Sequence, residues 1–271
     1  MAETSGVPPR VLRAGPEPED TSLPPLVFIH GAFSGAWIWG EHFLKFFADL
    51  GYSCHAINLP GRKGMPDYPK LHDFGVQDFV EAVIDVVDGL PSPPVLIGHS
   101  MGGFIAQRVA LERDVAAAVL MSTVPPTGMA GPSVALAMAK PMLVWEIARV
   151  QSFGAPKDGL DALHDAIFDD HVPKETSDRL TPRFQMESHR AVVDMHSVMM
   201  PPLGVLRQKP VLVLGAELDQ LIPLAFVHGT AAFLGTQAHI FDGMGHAVML
   251  EEHWQVAAQY IADWLGEKNY G

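Results

Sequence analysis

The stretch that decides the fold runs from Pro94 to Arg113 and reads PVLIGHSMGGFIAQRVALER. Its first six residues form a compact apolar run, which is typical of a buried strand, and the residues after Ser100 show helical spacing. Gly98, Gly102 and Gly103 surround the serine, and such small residues are needed where a chain turns tightly from strand to helix. The stretch therefore predicts a strand–turn–helix unit that presents the Ser100 hydroxyl above the end of a strand.

Short apolar runs alternate with helical patterns on both sides of this unit. Strands are predicted at 26–30, 53–59, 94–99, 115–123, 210–216 and 237–242. Helices are predicted at 36–50, 75–90, 101–113, about 224–234 and about 247–265. Because strand–helix alternation implies right-handed parallel crossovers, the pattern predicts an α/β fold with a doubly wound, mainly parallel sheet of about six strands.

Two parts of the chain depart from this alternation. Residues 1–24 hold five prolines and many polar residues, so we expect a flexible N-terminal arm, with an edge segment as the alternative. Residues 129–206 show no clear strand, and their apolar residues recur at helical spacing, so we expect a helical cap. The core is then formed by residues 25–128 and 207–271. We expect the cap at the carboxyl edge of the sheet, where open α/β sheets bind ligands.

The composition excludes several classes of function. The chain of 271 residues is 48% hydrophobic and 18% charged, which is the balance of a globular protein. Its net charge of −13 repels phosphate backbones, so we expect no nucleic-acid partner. The sequence has no basic amphipathic stretch and no run of 18 apolar residues, so we expect neither a membrane partner nor a transmembrane helix.

The N-terminus and the cysteine content bear on the cellular compartment. The stretch MAETSGVPPR lacks the apolar centre of a signal peptide, so we expect a cytoplasmic protein. Cys54, the single cysteine, lies between apolar neighbours in a predicted strand, which favours a buried thiol. One cysteine can form neither an internal disulfide nor a Cys-rich zinc site. Whether the protein forms a homodimer stays open.

A serine hydroxyl is a weak nucleophile, so Ser100 needs a base and a carboxylate that orients the base. In proteins with this turn, the acid and then the histidine follow the serine along the chain. His246 lies between flexible glycines and the last helix, so its ring can reach over the sheet edge. Asp219 follows a predicted strand and precedes His246 by one helix and one strand. Glu217 is the alternative acid, and Asp242 is expected to be a surface or capping residue.

Backbone N–H groups near Ser100 are expected to bind the oxyanion that forms when the serine attacks. One donor is the N–H of Met101, which directly follows the nucleophile. The other should come from the loop after the first predicted strand, with the Ala32 N–H as first choice and the Phe33 N–H as second. We expect His30 to be a buried, hydrogen-bonded organiser of that loop rather than a catalytic group.

Four segments together resemble the α/β-hydrolase superfamily: HGAFSGAWIW, GHSMGG, GAELDQLIP and GMGHAVMLE. The resemblance covers residues 26–265. The first two segments are similar to the branch that holds plant methyl-ester esterases and hydroxynitrile lyases, whereas the loops of Asp219 and His246 look like those of bacterial-type carboxylesterases. The resemblance implies an α/β-hydrolase fold and a serine esterase activity.

The same segments set some related chemistries aside. Ser100 stands where dehalogenases and epoxide hydrolases carry an aspartate. The sequence lacks the Gly-Gly-Gly oxyanion loop of hormone-sensitive-lipase types. Gly31 stands where the hydroxynitrile lyases of this branch carry a threonine, so the resemblance does not imply lyase activity.

The sequence therefore favours a carboxylic-ester hydrolase with a Ser-His-Asp triad, no metal and no cofactor, acting on a small-molecule ester. Within the enzyme class, the alternatives are a carbon–carbon bond hydrolase of dienoate type, a lactonase and a cofactor-free perhydrolase, all of which use the same triad. An alternative from another class is a hydrolase-fold ligand receptor that keeps the triad but turns over slowly.

Methionine is concentrated in the predicted cap, where residues 129–206 hold seven of the thirteen methionines. Because methionine fills or lines irregular apolar space, these residues either pack the cap helices or form an adaptable acyl pocket. In the second case, the expected substrate-binding residues are Met138, Met142, Met199 and Trp145. Few basic residues accompany them, so we expect neutral, largely apolar esters of short to medium chain length.

Overall fold

The computed structural model describes residues 10–154, 161–168, 172, 174–196 and 208–271. Its seven-stranded sheet has the order β1-β3-β2-β4-β5-β6-β7. The strands are Val11–Ala14 (β1), Leu26–Ile29 (β2), Cys54–Ile57 (β3), Val95–His99 (β4), Ala117–Met121 (β5), Val211–Ala216 (β6) and Ala238–Phe241 (β7). The pairs from β3 to β7 are parallel, and β1 joins the edge of β3 in antiparallel orientation. The prediction of an α/β fold with a mainly parallel sheet is confirmed.

The helices lie on both faces of the sheet, which is why the strands β2 to β6 are buried along their whole length. One face is covered by α1 and α2 together with the C-terminal α11, and the other by α3, α4 and α10. These helices are Trp37–Gly40 (α1), Phe43–Asp49 (α2), Val76–Asp88 (α3), Met101–Glu112 (α4), Leu224–Leu234 (α10) and Trp254–Glu267 (α11). The carboxyl ends of the parallel strands therefore share one open edge.

Between β5 and β6 the described residues form helices in the region expected to form the cap, and we keep the name cap for this region. The helices are Ala130–Ala139 (α5), Pro141–Phe153 (α6), Asp161–Ile167 (α7), Lys174–Leu180 (α8) and His189–Met195 (α9). The helical pattern of this region breaks at Lys140, whose φ of −139° and ψ of 63° are not helical. The proline at position 141 explains the break, because a proline disfavours the helical conformation of the residue before it.

Two sequence-based expectations need correction. Residues 11–14 are not part of a free arm, because all four pair with β3 at the sheet edge, which corresponds to the alternative of an edge segment. The single helix expected at 36–50 is two helices, because His42 has φ −143° and ψ −56° and interrupts it.

None of the helices in the described part of the chain combines the length and the apolar character that a membrane span requires.

Candidate active site

Ser100 sits at the turn between β4 and α4 with φ 53° and ψ −118°. Residues that carry a side chain rarely adopt this backbone conformation. It persists only where the surrounding structure enforces it. The neighbouring glycines explain how the turn fits. A Cβ added at Gly98 would overlap the Gly102 carbonyl, and one added at Gly102 would overlap the carbonyl of Ile29. The turn therefore needs the glycines that the sequence places there, and it presents Ser100 at the N-terminus of α4.

The structure brings Asp219 and His246 into contact, with Oδ2 of Asp219 2.8 Å from Nδ1 of His246. Both side chains are buried, at 0% and 5% exposure. The other oxygen, Oδ1, accepts the N–H groups of Leu221 and Ile222 at 2.8 and 2.9 Å, which fixes the carboxylate on its own turn. Because a carboxylate accepts, the neutral imidazole carries its proton on Nδ1 and leaves Nε2 free to take one.

The other two acidic residues near this loop point elsewhere. Glu217 is exposed, and its Oε2 accepts the N–H of Gly243 at 2.9 Å. Asp242 is also exposed. Of the three carboxylates considered from the sequence, Asp219 is the one that the structure places against His246.

The two loop candidates for the oxyanion hole differ in the structure. Within the described residues, the N–H groups of Ala32 and Met101 donate to no protein acceptor. The N–H of Met101 is the first of α4, where a helix leaves its donors unsatisfied. The N–H of Phe33, in contrast, donates to Oε2 of Glu187 at 3.2 Å. The geometry therefore favours Ala32 over Phe33 as the partner of Met101.

His99 connects the serine turn to the loop of His246 through a hydrogen bond. Its Nε2 lies 2.9 Å from the carbonyl of His246, and the two rings are 4.6 Å apart. Burial, reinforced by the nearby His246, holds the pKa of His99 well below its usual range. Since a carbonyl only accepts, the neutral His99 ring donates from Nε2, and this bond helps to hold the backbone of His246 in place.

His30 is buried and stabilises the loop that follows β2 through hydrogen bonds. Its Nδ1 lies 2.7 Å from the Gly31 carbonyl, and its Nε2 accepts the N–H of Leu59 at 3.3 Å. Burial, together with the charge of Arg62, lowers the pKa of His30 to about 3, so the ring is neutral. His30 thus has the structural part expected for it, between β2 and the segment after β3.

A cavity of about 250 Å³ opens between this edge of the sheet and the cap. Ser100, His99 and His246 line its floor. Its cap wall is formed largely by apolar side chains, among them Met129, Leu136, Val144, Ile147 and Met195. No lysine, arginine, aspartate or glutamate of the described residues lines it. The cavity can therefore enclose an apolar group next to Ser100, and it offers no lysine or arginine to an anionic group.

The expected substrate-binding residues are not the ones that line the cavity. Met138, Met142 and Trp145 are 83%, 60% and 55% exposed, and all three lie outside its lining. Met199 falls outside the described residues. The physical reason is helical phase, because α5 and α6 turn Leu136, Val144 and Ile147 inward and the three exposed side chains outward. The methionines that do line the cavity are Met129, Met195 and Met249.

One polar pair lies on the cap side of the lining and satisfies itself. Oγ of Ser133 is 3.0 Å from Nε2 of His196, whose Nδ1 is 2.8 Å from the Val192 carbonyl. In the neutral ring, Nδ1 donates to the carbonyl, so Nε2 accepts the serine hydroxyl. With its proton used in this way, the serine adds little polarity to the wall.

Known proteins show the same architecture. A model of the alpha/beta hydrolase family matches residues 26–259. A carboxylesterase structure from Nitrososphaera gargenis superposes with a TM-score of 0.74 at 17% identity, over 96% of this chain and 94% of that one. The Paleococcus ferrophilus monoacylglycerol lipase gives 0.70 at 19%, over 96% and 98%. An Exiguobacterium antarcticum esterase gives 0.69 at 18%, over 94% of each chain. Among curated proteins, none matches the sequence.

Proposed function

The chain belongs to the α/β-hydrolase family, and from that premise we propose that it is a serine hydrolase that cleaves neutral, largely apolar carboxylic esters through an acyl-enzyme. One observation carries the proposal. Ser100, held in a strained turn at a helix N-terminus, lines the same apolar cavity as His246, which is bonded to the buried carboxylate of Asp219. A nucleophile, a base and the acid that orients the base are the groups that acyl transfer requires.

In the proposed first half-reaction, Oγ of Ser100 attacks the ester carbonyl carbon while Nε2 of His246 takes the hydroxyl proton. Asp219 keeps the imidazole in the required tautomer and stabilises the imidazolium. The carbonyl oxygen becomes an oxyanion that accepts the N–H groups of Ala32 and Met101. When the tetrahedral intermediate collapses, the C–O bond to the alcohol breaks and His246 returns the proton to the leaving oxygen.

In the second half-reaction, water replaces the alcohol. His246 takes a proton from water as its oxygen attacks the acyl carbon, and the oxyanion forms again in the same hole. Collapse releases the carboxylic acid and returns the proton to Oγ of Ser100. Every proton is carried by His246, so the cycle closes without a cofactor.

The cavity lining supports the class of substrate. Its wall is apolar, and the Ser133–His196 pair satisfies its own hydrogen bonds. An anionic acyl group would lose its hydration there without gaining a lysine or arginine as a partner, which is costly. The proposed substrates are therefore esters whose acyl group is neutral and largely apolar.

Two measurements test the proposal. The first is steady-state hydrolysis of p-nitrophenyl acetate and butyrate by the wild type and by Ser100→Ala, with the expectation of multiple turnovers and a fall in kcat of roughly 10⁴-fold or more. The second is labelling by a fluorophosphonate, with the adduct mapped to Ser100. Rapid turnover that is unchanged in Ser100→Ala would contradict the proposal. One stoichiometric acylation followed by arrest would favour the slow-turnover receptor.

A further inference from the structure

A deeply buried ion pair joins the cap to the segment that follows β3. Arg62 and Glu187 are 2% and 0% exposed, and neither lines the cavity. Nη2 of Arg62 lies 2.7 Å from Oε1 of Glu187, and Nη1 lies 2.8 Å from Oε2. The two side chains therefore meet through two parallel hydrogen bonds. This geometry fixes the orientation of the carboxylate in addition to pairing its charge.

The same carboxylate holds the backbone of the loop at the oxyanion hole. Oε2 of Glu187 accepts the N–H of Phe33 at 3.2 Å, and Oε1 accepts the N–H of Ser188 at 2.7 Å. The carbonyl of Phe33 accepts the N–H of Gln185 at 2.8 Å. Both backbone polar groups of Phe33 are thus bonded to one short segment of the cap, residues 185–188.

Phe33 needs this support because its φ is 62°, in the left-handed region that residues with a side chain avoid. Such a conformation persists only where the surroundings enforce it. Ala32 precedes Phe33 directly, so any relaxation of Phe33 turns the peptide between them and moves Ala32. The loop lies close to the serine turn, since a Cβ added at Gly31 would lie 3.0 Å from Cβ of Ser100, so even a small shift of Ala32 changes its position relative to the oxyanion.

We propose that Glu187 and Arg62 are positioning residues that set the oxyanion hole through the backbone of Phe33. Glu187 bonds the Phe33 N–H, and Arg62 fixes Glu187 while also donating to the Ser34 carbonyl at 3.4 Å. The cap thereby contributes to the rate without touching the substrate. This inference rests on the proposed function, because it assigns the Ala32 N–H to the oxyanion.

The test must separate positioning from folding. Removing one partner leaves an uncompensated buried charge, which destabilises the fold for reasons unrelated to the loop. Replacing both partners with apolar side chains of similar size is often tolerated. The decisive variant is therefore Arg62→Met combined with Glu187→Leu, which removes both charges together with the bond to Phe33.

The double variant is expected to fold but to lose the transition-state contact selectively. Its kcat for p-nitrophenyl butyrate should fall about 10- to 100-fold, with KM within about threefold, because the oxyanion forms only after attack. The rate of Ser100 labelling by a fluorophosphonate should fall by a similar factor, since attack at phosphorus also builds negative charge on oxygen. The matched control is Asp88→Asn with Arg113→Gln, an exposed ion pair at 2.7 Å, and it should change neither rate.

Wild-type kcat and labelling rate in a folded double variant would assign the pair to stability alone and overturn the proposal. If the double variant does not fold, Arg62→Lys decides, because lysine keeps the charge but cannot form the two parallel bonds. A lower kcat at unchanged KM supports positioning, and unchanged kcat and labelling overturn it. Failure of the proposed function would give a different result: the fluorophosphonate would label wild-type Ser100, but the esters would not be turned over. In that case the labelling rates of the variants still test the role of Arg62 and Glu187.

Discussion

Asp219 gives one carboxylate oxygen to His246 and the other to the backbone of its own turn. In Asp219→Asn, the amide oxygen can still accept the N–H groups of Leu221 and Ile222. The amide nitrogen then faces Nδ1 of His246 as a donor. The imidazole must then carry its proton on Nε2, where it cannot act as a base. We expect kcat to fall about 10³- to 10⁴-fold with the fold retained.

Glu217→Gln is the matched control for this change, because Glu217 is exposed and bonded to Gly243. Its kcat should stay within about twofold of the wild type, as is usual for a surface substitution. The two variants are compared in one steady-state assay, with circular dichroism as the check on folding. Full activity in Asp219→Asn, or a large loss in Glu217→Gln, would transfer the role of acid to Glu217.

His30 links stability to pH. Its pKa of about 3 in the folded protein lies below the usual value of 6.5, so acid protonates the unfolded chain first. The contribution of His30 to stability is fully present above pH 6.5 and is lost as the pH falls from there toward 3. Between pH 7 and pH 5, above most of the carboxylate titration, His30 alone should cost about 2 kcal/mol of unfolding free energy. The buried His99 acts in the same direction.

Urea unfolding at pH 7, 6 and 5 measures this dependence. The unfolding free energy should fall at each step, and a His30→Asn variant should fall less steeply because one titrating group is gone. An equally steep fall in His30→Asn and in the wild type would show that His30 is not held neutral in the folded protein.

At the scale of elements, glycines in two helices make opposite demands, Gly102 in α4 and Gly229 in α10. A Cβ at Gly102 would overlap the carbonyl of Ile29, whereas a Cβ at Gly229, inside α10, would meet nothing within 4 Å. Gly102→Ala should therefore cost about 2 kcal/mol or more through overpacking. Gly229→Ala should instead stabilise the protein by about 0.5–1 kcal/mol through helix propensity. Thermal and urea unfolding of both variants give the comparison, and the same sign for both would contradict it.

The sequence predicted the elements better than their boundaries. The six strands that form βαβ units were visible because buried parallel strands are continuous apolar runs. The strand Val11–Ala14 was not assigned as one, since four residues near prolines carry little pattern, and its place is set by pairing with β3. The break at His42 was also hidden, because the apolar spacing continues across it.

The candidate site was also predicted only in part from the sequence. The serine turn and the loops of Asp219 and His246 lie at chain positions that the fold brings to one edge, so spacing could predict their neighbourhood. The cavity lining could not be predicted from residue type, because helical phase decides it, as Leu136 and Met138 on α5 illustrate. Glu187 was missed because its partners, Arg62 and Phe33, lie far from it in sequence and meet it only when the cap folds over the core.

At the scale of the whole molecule, a net charge of −13 surrounds a cavity that no lysine, arginine, aspartate or glutamate of the described residues lines. Both features disfavour an anionic acyl group, the first through long-range repulsion and the second through desolvation. We therefore expect kcat/KM for p-nitrophenyl esters to rise with acyl length, by at most about fourfold per methylene, which corresponds to about 0.8 kcal/mol. The rise should end when the acyl group fills the cavity of about 250 Å³.

Two comparisons make this expectation specific. A p-nitrophenyl hemisuccinate, close in length to the butyrate, should be cleaved at least about tenfold more slowly, because its carboxylate finds no lysine or arginine and each 1.4 kcal/mol of uncompensated desolvation costs a factor of ten. Leu136→Ala should shift the best substrate to a longer acyl chain, whereas Met138→Ala, two residues along α5 and 83% exposed in the wild type, should leave it unchanged. A preference for the hemisuccinate, or a shift in Met138→Ala but not in Leu136→Ala, would refute the apolar acyl site while leaving the roles of Ser100, His246 and Asp219 to be judged by their own variants.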